Sequence, residues 1–445
     1  MEHLGWTLIA RDFRGLQAVQ WSPSGVCLLS GRNGAGKSSI LGALRFLRTA
    51  AERGISEAVR VAGGGALLRR LGAEPKAPVR LGLSIGFLSW EIQLPVEGGG
   101  IHPNYGEEIK FGGNVLAQRA MYATDVLLGK IETGETEWHN PIAQPITVPI
   151  FVGPGEPGET HKEYTIPAGG SAFIPTVYDT AVSRLAPHLA RESDRWAADT
   201  RSTLQMLWDK RRPSDLPATL ATMLELVRGI RVYDTYRLDQ IREPQSGVDT
   251  VAELLPTGKN VWNVLRNWKS APRKYDDQFH WVVSALREAF PDVVTDLEFE
   301  TEGQTVVGRF YLPNAPTGND SLPLALAPDG LLVGILHLTA VADAPTGSIL
   351  AFDEVENQLH PHAIRAIIKA MRAMAEKRDL TIVLTTHSPV VMNEFKGHED
   401  QFYVLEASQE DQPVPLDKAL DPDWLAHFSL GDLYDREDFA AQKAG

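Results

Sequence analysis

Residues 31–38, GRNGAGKS, match the pattern G-x-x-x-x-G-K-[ST] at every fixed position. An apolar, strand-like run precedes them, and a helix is predicted from Ser38 to about Leu47. Glycines let backbone amides close around phosphate oxygens, and the N-terminus of the helix adds its positive end. Such a segment predicts a phosphate-binding loop, with a glycine-rich turn carrying a chance lysine as the alternative.

Within that loop, each residue type has an expected task. Lys37 is expected to reach the β- and γ-phosphates of a nucleotide, and the Ser38 hydroxyl to hold Mg²⁺. The residues expected to bind the nucleotide are those of the loop and the first helical turn: Arg32, Asn33, Gly34, Ala35, Gly36, Lys37, Ser38 and Ser39.

Two carboxylates follow a second apolar strand, predicted at residues 348–352. Asp353 at the strand tip can orient Mg²⁺, and Glu354 can act as the general base that polarises an attacking water. An ordinary solvated turn is the alternative, and the presence of a complete phosphate-binding loop in the same chain favours the catalytic interpretation.

A histidine ends a third apolar strand, predicted at residues 381–385. His387 lies in the segment Thr-Thr-His-Ser-Pro and can donate a hydrogen bond to a γ-phosphate, although a lone loop histidine is usually a surface residue. One helix and one strand separate it from Asp353. In a parallel sheet that crossover brings both strand tips to the same edge.

The composition excludes other classes of protein. Lys and Arg number 43 against 57 Asp and Glu, and this net charge of −14 argues against a general phosphate-binding surface, while a local basic groove stays open. The single cysteine excludes a disulfide framework and a cysteine-rich zinc module. The first residues lack the pattern of a secretory signal, and the run 331–342 is too short to cross a bilayer. We therefore expect a cytoplasmic protein.

The order of predicted elements indicates an α/β protein. Helix and strand alternate in the last third of the chain, which predicts a parallel sheet covered by helices. Short alternating segments predict an antiparallel sheet between about 78 and 175, and helices are predicted from 176 to 230. The remaining predicted elements are strands at 7–10 and 25–29, a hairpin at 296–312 turning at Glu302-Gly303, and helices at 279–290, 331–341 and 364–375.

The motifs occur in an order that resembles one group of ATPases. Phe13–Leu16 resembles an opening FRgf, residues 31–39 a GxNGxGKSS loop, residues 353–361 an EEPExxLHP segment, and residues 385–389 a TTHSP segment. These are motifs of ABC-type ATPases of the SMC/RecF/OLD-like group, the AAA-21/AAA-15 ATPases of the AAA family. Residues 255–260 and 428–434 also look like landmarks of the group. The resemblance spans nearly the whole chain and is weak between about 90 and 230.

The resemblance implies a fold and an assembly. It implies a P-loop ABC-type head formed by residues 1–75 and 235–445, an antiparallel β subdomain at 76–175 and a helical lid at 176–234. ABC-type heads form head-to-tail homodimers in which the partner's signature loop completes each ATP site. The equivalent of that loop is Ala327–Gly330, and Asp329 and Gly330 are the residues that would meet the nucleotide. Pro328 replaces the usual serine, which removes a hydroxyl donor. Gln93 and Gln118 are candidates for the Q-loop glutamine.

Two absences shape the functional hypothesis. No long heptad tract indicates SMC-type coiled-coil arms, and the residues after His387 are too few for an appended TOPRIM nuclease. We therefore expect a slow, dimeric, MgATP-dependent sensor or switch in bacterial anti-phage defence that controls a separately encoded effector. The alternatives are a RecF-like DNA-repair ATPase, with DNA as partner, and a scaffold that binds ATP without hydrolysing it. A metal role for His360 and His362 is disfavoured because no third ligand is near in sequence.

Overall fold

The computed structural model describes residues 5–74, 77–97, 100–101, 106–111, 114–120, 146–151, 161–166, 216–243, 245–246, 253–302, 305–313, 321–406 and 412–437. The chain divides into two compact units. The first comprises residues 1–23, 33–228 and 406–413, and the second comprises residues 24–32, 229–405 and 414–445. The phosphate-binding loop thus passes from the second unit to the first at Asn33.

The described strands are β1 (Trp6–Phe13), β2 (Leu16–Trp21), β3 (Val26–Ser30), β4 (Val79–Ile85), β5 (Leu88–Leu94), β6 (Val96–Glu97), β7 (Gly100–Ile101), β8 (Gly106–Phe111), β9 (Asn114–Ala120), β10 (Ile146–Phe151), β11 (His161–Ile166), β12 (Arg231–Tyr233), β13 (Gln245–Ser246), β14 (Asp296–Glu302), β15 (Thr305–Tyr311), β16 (Ser321–Pro323), β17 (Ile349–Phe352), β18 (Thr381–Thr385), β19 (Phe402–Val404) and β20 (Val414–Pro415).

The described helices are α1 (Lys37–Arg53), α2 (Ile55–Val61), α3 (Leu216–Arg228), α4 (Leu238–Arg242), α5 (Val261–Ser270), α6 (Pro272–Ala289), α7 (Asp329–Asp343), α8 (Pro361–Arg378), α9 (Pro389–Asn393), α10 (Leu416–Ala419), α11 (Pro422–His427) and α12 (Leu430–Glu437). None of these helices combines the length and the apolar character that a bilayer crossing requires.

The first unit is built on an antiparallel sheet in the order β2-β1-β4-β5-β8-β9. Its strands alternate between buried and more accessible residues, as in β5, where Leu88, Trp90, Ile92 and Leu94 are buried. That alternation gives the sheet one apolar face. Helix α1 supplies an apolar stripe of its own, including Ile40, Leu44 and Leu47.

The second unit is built on a mainly parallel sheet in the order β12-β17-β18-β3-β19-β20. All pairs are parallel except β19 with β20, and every residue of β3, β17 and β18 is buried. Strands that are apolar on both faces are typical of a parallel sheet covered on both sides. Helices α5 to α8 share one apolar core with these strands.

Most predicted elements are confirmed within the described residues. The α/β class, the parallel strands at 349–352 and 381–385, the antiparallel strands beyond residue 78 and the hairpin of β14 with β15 all occur. Strand β2 was not predicted, and α1, α7 and α8 begin earlier and end later than predicted because their ends carry polar residues that blur the apolar period. The hairpin residue Gly303 and the part of the predicted helical region from 176 to 215 lie outside the described residues.

Candidate nucleotide site

The phosphate-binding loop has the backbone that its glycines permit. Gly34 and Gly36 have φ values of 82° and 111°, in the region that favours glycine. A Cβ added at Gly34 meets nothing within 4 Å, so this point of the loop borders open space. Gly36 is the N-cap of α1 and contributes no capping side chain. The dipole of this 17-residue helix places partial positive charge at the same end, as expected of a terminus that faces phosphate.

The first turn of α1 divides its polar side chains between two environments. Lys37 is only 8% exposed, whereas Ser38 is exposed. The hydroxyl of Ser39 instead accepts a hydrogen bond from the Gly15 amide at 3.2 Å. Gly15 lies in the turn between β1 and β2, so the segment Phe13–Leu16 is a hairpin that braces the start of α1.

The hairpin makes further contacts with α1 in the same unit. The ring of Phe13 packs edge-on against Phe46 at 6.4 Å, and a Cβ at Gly42 would approach the Arg14 guanidinium to 2.6 Å. Arg14 also donates to the Ala62 carbonyl at 3.1 Å. The opening motif thus supports the helix that carries Lys37 and Ser38.

In the second unit, Asp353 and Glu354 follow β17 directly. The hydroxyl of Thr385, at the end of the neighbouring strand β18, donates to Asp353 Oδ1 at 2.5 Å and accepts from the Glu354 amide at 2.8 Å. One buried hydroxyl therefore orients both acidic residues. It also makes Asp353 Oδ1 a hydrogen-bond acceptor.

Glu354 adopts an uncommon backbone conformation. Its φ of 47° lies in the left-handed region, which costs a residue with a Cβ about 1 kcal/mol or more. The Asn357 side chain donates to Glu354 Oε2 at 2.8 Å, and the Asn357 amide donates to the Glu354 carbonyl at 2.9 Å. The left-handed turn and the amide side chain together hold an exposed carboxylate in one orientation.

His387 follows β18 and is tied to the acidic segment. Its amide donates to Glu356 Oε1 at 2.9 Å, so the histidine loop and the segment after β17 are joined by a side chain. Its Nδ1 lies 3.2 Å from the hydroxyl of Tyr434 on α12. The strand crossover predicted from the sequence thus brings Asp353, Glu354 and His387 to one edge of the sheet.

The signature-like loop Ala327–Gly330 runs into α7, for which Pro328 is the N-cap. The helix begins at Asp329 rather than at Leu331, and Asp329 does not cap it with its side chain. Its carboxylate instead binds the guanidinium of Arg242, which also donates to the Ala327 carbonyl at 2.6 Å. Arg242 thus counters the negative charge of Asp329 and holds the loop.

Gly330 has a structural reason to be glycine. A Cβ at this position would lie 2.4 Å from the carbonyl oxygen of Gln358, which is too close for any side chain. Gln358 itself has a φ of 64°, in the segment Asn357–His360 that follows the acidic residues. The signature-like loop therefore packs directly against the chain segment that follows Asp353 and Glu354, the two residues at the end of β17 that are called the acidic tip below.

The remaining predicted site residues lie elsewhere. Gln93 lies in β5 opposite Arg80, and Gln118 lies in β9 opposite Glu108, both in the first unit. His362 Nε2 contacts the Glu288 carbonyl at 3.1 Å, and His360 Nδ1 accepts from the His362 amide at 3.4 Å. Among the described residues, no group of three or more potential metal-ligating side chains of His, Cys, Asp or Glu converges.

The motifs pointed to some supporting residues but not to others. Thr385, Glu356 and Tyr434 lie inside quoted motifs or landmarks, and their position there was the available signal. Arg242 lies in no motif and is 87 residues from its partner Asp329, so nothing in the sequence linked the two.

Comparison with known families bears on the same part of the chain. Residues 263–393 match the family model described as "AAA domain, putative AbiEii toxin, Type IV TA system". This segment includes the signature-like loop, the acidic tip and His387, and the match confirms the resemblance to AAA-family ATPases that the motifs indicated. No curated protein matches the sequence.

The solved structures that resemble the chain distantly include three SMC head domains. One is the Smc head bound to the C-winged helix domain of ScpA; it has 11% sequence identity and a TM-score of 0.41, and the match covers 93% of this chain and 99% of that chain. Another is the Smc head with an extended coiled coil bound to the C-terminal domain of ScpA from Pyrococcus furiosus, with 13% identity, a TM-score of 0.39, and coverage of 93% of this chain and 96% of that chain. The SMC head domain from Thermotoga maritima has 14% identity and a TM-score of 0.34, with coverage of 92% of this chain and 98% of that chain. At these TM-scores the likeness carries no residue correspondence.

Proposed function

We propose that the chain is an ATPase that works as a slow molecular switch. The observation that carries the proposal is the acidic tip. Thr385 holds Asp353 and Glu354 together, and His387 lies at the same sheet edge. A complete phosphate-binding loop in the same chain supports ATP as the substrate.

The residues present fit a nucleotide with Mg²⁺. Helix α1 begins on a glycine with no capping side chain, and the loop borders open space at Gly34, as phosphate binding requires. Asp353 accepts the Thr385 hydrogen bond as a carboxylate, the ligand type that Mg²⁺ prefers. Ser38 and Asp353 are the proposed metal ligands, and the ion would neutralise charge on the phosphate oxygens.

The chain's own residues supply the remaining chemistry. Lys37 and the other residues of the segment 32–39 bind the nucleotide, with Lys37 on the phosphates. Glu354, oriented by Asn357, accepts the proton of the attacking water, and His387 donates a hydrogen bond to the γ-phosphate.

The signature-like loop supports a dimeric and slow enzyme. In the proposed dimer, Asp329 and Gly330 of one copy meet the ATP bound by a second copy. Pro328 has neither a hydroxyl nor an amide hydrogen, so it offers no donor to that phosphate. Loss of this donor slows hydrolysis, so the ATP-bound state persists. The same feature favours a second candidate, a scaffold that binds ATP and remains locked.

We assign the switch to bacterial defence, acting in the cytoplasm on a separately encoded effector. This assignment is supported by the family description, which names a toxin of a toxin–antitoxin system. The assignment is tested by assaying the purified chain for nuclease activity on DNA and RNA. Cleavage of either nucleic acid by the chain alone would contradict a separately encoded effector.

The ATPase is tested with Lys37→Ala and Glu354→Gln, with Glu298→Gln on the β14–β15 hairpin as a matched surface control. We expect Lys37→Ala to lose nucleotide binding. Glu354→Gln should bind ATP, lose about 100- to 10,000-fold in turnover and accumulate as an ATP-bound dimer. Parental turnover in Glu354→Gln would contradict the general-base assignment. A parent that retains ATP without any turnover would favour the scaffold.

A further inference from the structure

A histidine lies in the centre of α7, far from either end of the helix. His337 has no exposed surface, and its ring packs edge-on against Phe352, the last residue of β17, at 4.9 Å. Its Nε2 lies 3.0 Å from the hydroxyl of Tyr236. That hydroxyl donates to the backbone carbonyl of Asp353 at 3.2 Å. A continuous chain of hydrogen bonds therefore runs from α7, the helix that follows the signature-like loop and is called the signature-like helix below, to the acidic tip.

The hydrogens of this chain can be assigned. A tyrosine hydroxyl has one hydrogen, and here it is donated to the Asp353 carbonyl, so the hydrogen between the two side chains belongs to His337 Nε2. The Nδ1 atom is then a bare acceptor, and it has no hydrogen-bond partner among the residues that the structure describes. Burial lowers the pKa of His337 to about 3 and raises that of Tyr236, so both side chains are neutral near pH 7.

This arrangement is costly as a way of filling the core. An unpaired buried acceptor destabilises a fold, whereas a leucine in the same place would leave no polar atom unpaired. The hydrogen bond between His337 and Tyr236 does provide a directional contact, because it holds the Tyr236 hydroxyl within hydrogen-bonding distance of the Asp353 carbonyl. A second contact joins the same two segments, where Gly330 packs against the carbonyl of Gln358.

We propose that His337 and Tyr236 are positioning residues that couple the signature-like helix to the acidic tip of the same copy. The inference rests on the proposed function for its catalytic consequence. In the ATP-bound dimer, the loop preceding α7 contacts the nucleotide of the other copy. A displacement of α7 then reaches Asp353 through Tyr236, so occupancy of one site adjusts catalysis in the other.

The test compares His337→Leu, Tyr236→Phe and the double variant with the parent. Tyr311→Phe is the matched control, because it also removes a tyrosine hydroxyl hydrogen bond, to Glu298 on the β14–β15 hairpin. His337→Gln keeps a side-chain donor and serves as the conservative variant. Three quantities are measured: thermal stability, ATP turnover, and deuterium exchange of the peptide covering residues 353–359 in the absence of nucleotide.

We expect His337→Leu to keep or raise the melting temperature while exchange at the amides of Glu354 and Val355 rises. Turnover should fall about twofold to tenfold at unchanged ATP affinity, the range that one neutral hydrogen bond allows. Tyr236→Phe should have an equal or larger effect, and the double variant should match it rather than add to it. His337→Gln should recover most of the turnover, and Tyr311→Phe should change none of these quantities.

Unchanged exchange at residues 353–359 in both single variants would overturn the coupling. So would losses of turnover that follow losses of melting temperature, because they would indicate a merely structural role. A parent without ATP turnover would instead contradict the proposed function. The exchange measurement would then still decide whether the pair positions the acidic tip.

Discussion

The acidic tip and the signature-like loop belong to the same unit, yet their polar groups are supported in opposite ways. At the tip, hydrogen bonds from Thr385 and Asn357 orient Asp353 and Glu354, the groups that would act on the substrate. In the loop, Arg242 engages the carboxylate of Asp329, and Pro328 offers no donor. The catalytic half of the proposed site is organised in advance, and the half offered to a partner copy is poor in donors.

The rate of such an enzyme is therefore expected to depend on these two places in different ways. Preorganised groups at the tip cost no rearrangement at the moment of reaction. A missing donor in the loop weakens the interaction that only the assembled dimer makes. Damage at the tip should therefore lower turnover, whereas repair of the loop should raise it.

Among variants that leave both acidic side chains in place, the largest loss of turnover is expected when the shared hydroxyl of the tip is removed. Thr385→Val keeps the shape of the side chain and removes both the donor to Asp353 and the acceptor of the Glu354 amide. Loss of hydrogen bonds to a charged group costs about 1.5–3 kcal/mol, so turnover should fall about tenfold to a hundredfold. Thr385→Ser, which keeps the hydroxyl, is the control. Equal turnover in the valine and serine variants would mean that the hydroxyl does not organise the tip.

The opposite change is expected in the loop. Pro328→Ser restores a hydroxyl and an amide hydrogen at the N-cap of α7 and should raise turnover, by up to about tenfold to a hundredfold if one charge-assisted bond is regained. Pro328→Ala restores the amide hydrogen alone and separates the two contributions. The loop would cease to explain a slow rate if neither variant hydrolyses ATP faster than the parent in steady-state assays.

A smaller loss is expected from the residue that orients the general base. Asn357→Ala removes the donor to Glu354 Oε2 and leaves the carboxylate in place. This bond is exposed to solvent, so its loss should lower kcat only about threefold to tenfold, without changing the KM for ATP. A rise in KM at constant kcat would instead place Asn357 in nucleotide binding.

The smallest effect concerns pH. His337 has a pKa of about 3 in the folded protein and an ordinary value near 6.5 when unfolded, so between these values the unfolded chain binds more protons. Its contribution to stability therefore rises with pH across that window and is constant above it, with a slope of at most about 1.4 kcal/mol per pH unit.

Asp343 opposes this slope, because burial raises its pKa to about 6. Both the parent and His337→Leu contain Asp343, so the contribution of Asp343 cancels when their free energies of unfolding are subtracted. Urea unfolding at pH 5 and pH 7 measures this difference, and the free energy of unfolding of His337→Leu should exceed that of the parent by more at pH 5 than at pH 7. A difference that is the same at both pH values would show that His337 does not titrate on unfolding.

The sequence predicted the parts of the site that lie within single motifs. The loop before α1, the acidic pair and His387 each follow an apolar strand, and a parallel crossover aligns the last two. It could not predict the role of Thr385, which depends on the register that sets Phe352 beside Leu384. Nor could it predict that His337 contacts Tyr236, because side chains 101 residues apart meet only through tertiary packing. Strand β2 was missed because its polar residues interrupt the apolar run.

Gly330 bears on how variants of such proteins are interpreted. Replacing the glycine of a signature-like loop is a natural way to ask whether the loop contacts phosphate. In this chain, an added methyl group would collide with the backbone oxygen of Gln358 within the same copy. An alanine variant would therefore lose activity whether or not the loop ever met a nucleotide, and it would report a displaced neighbour rather than a lost ligand. The informative substitution lies two residues earlier, where the side chain is exposed and can be exchanged without a clash.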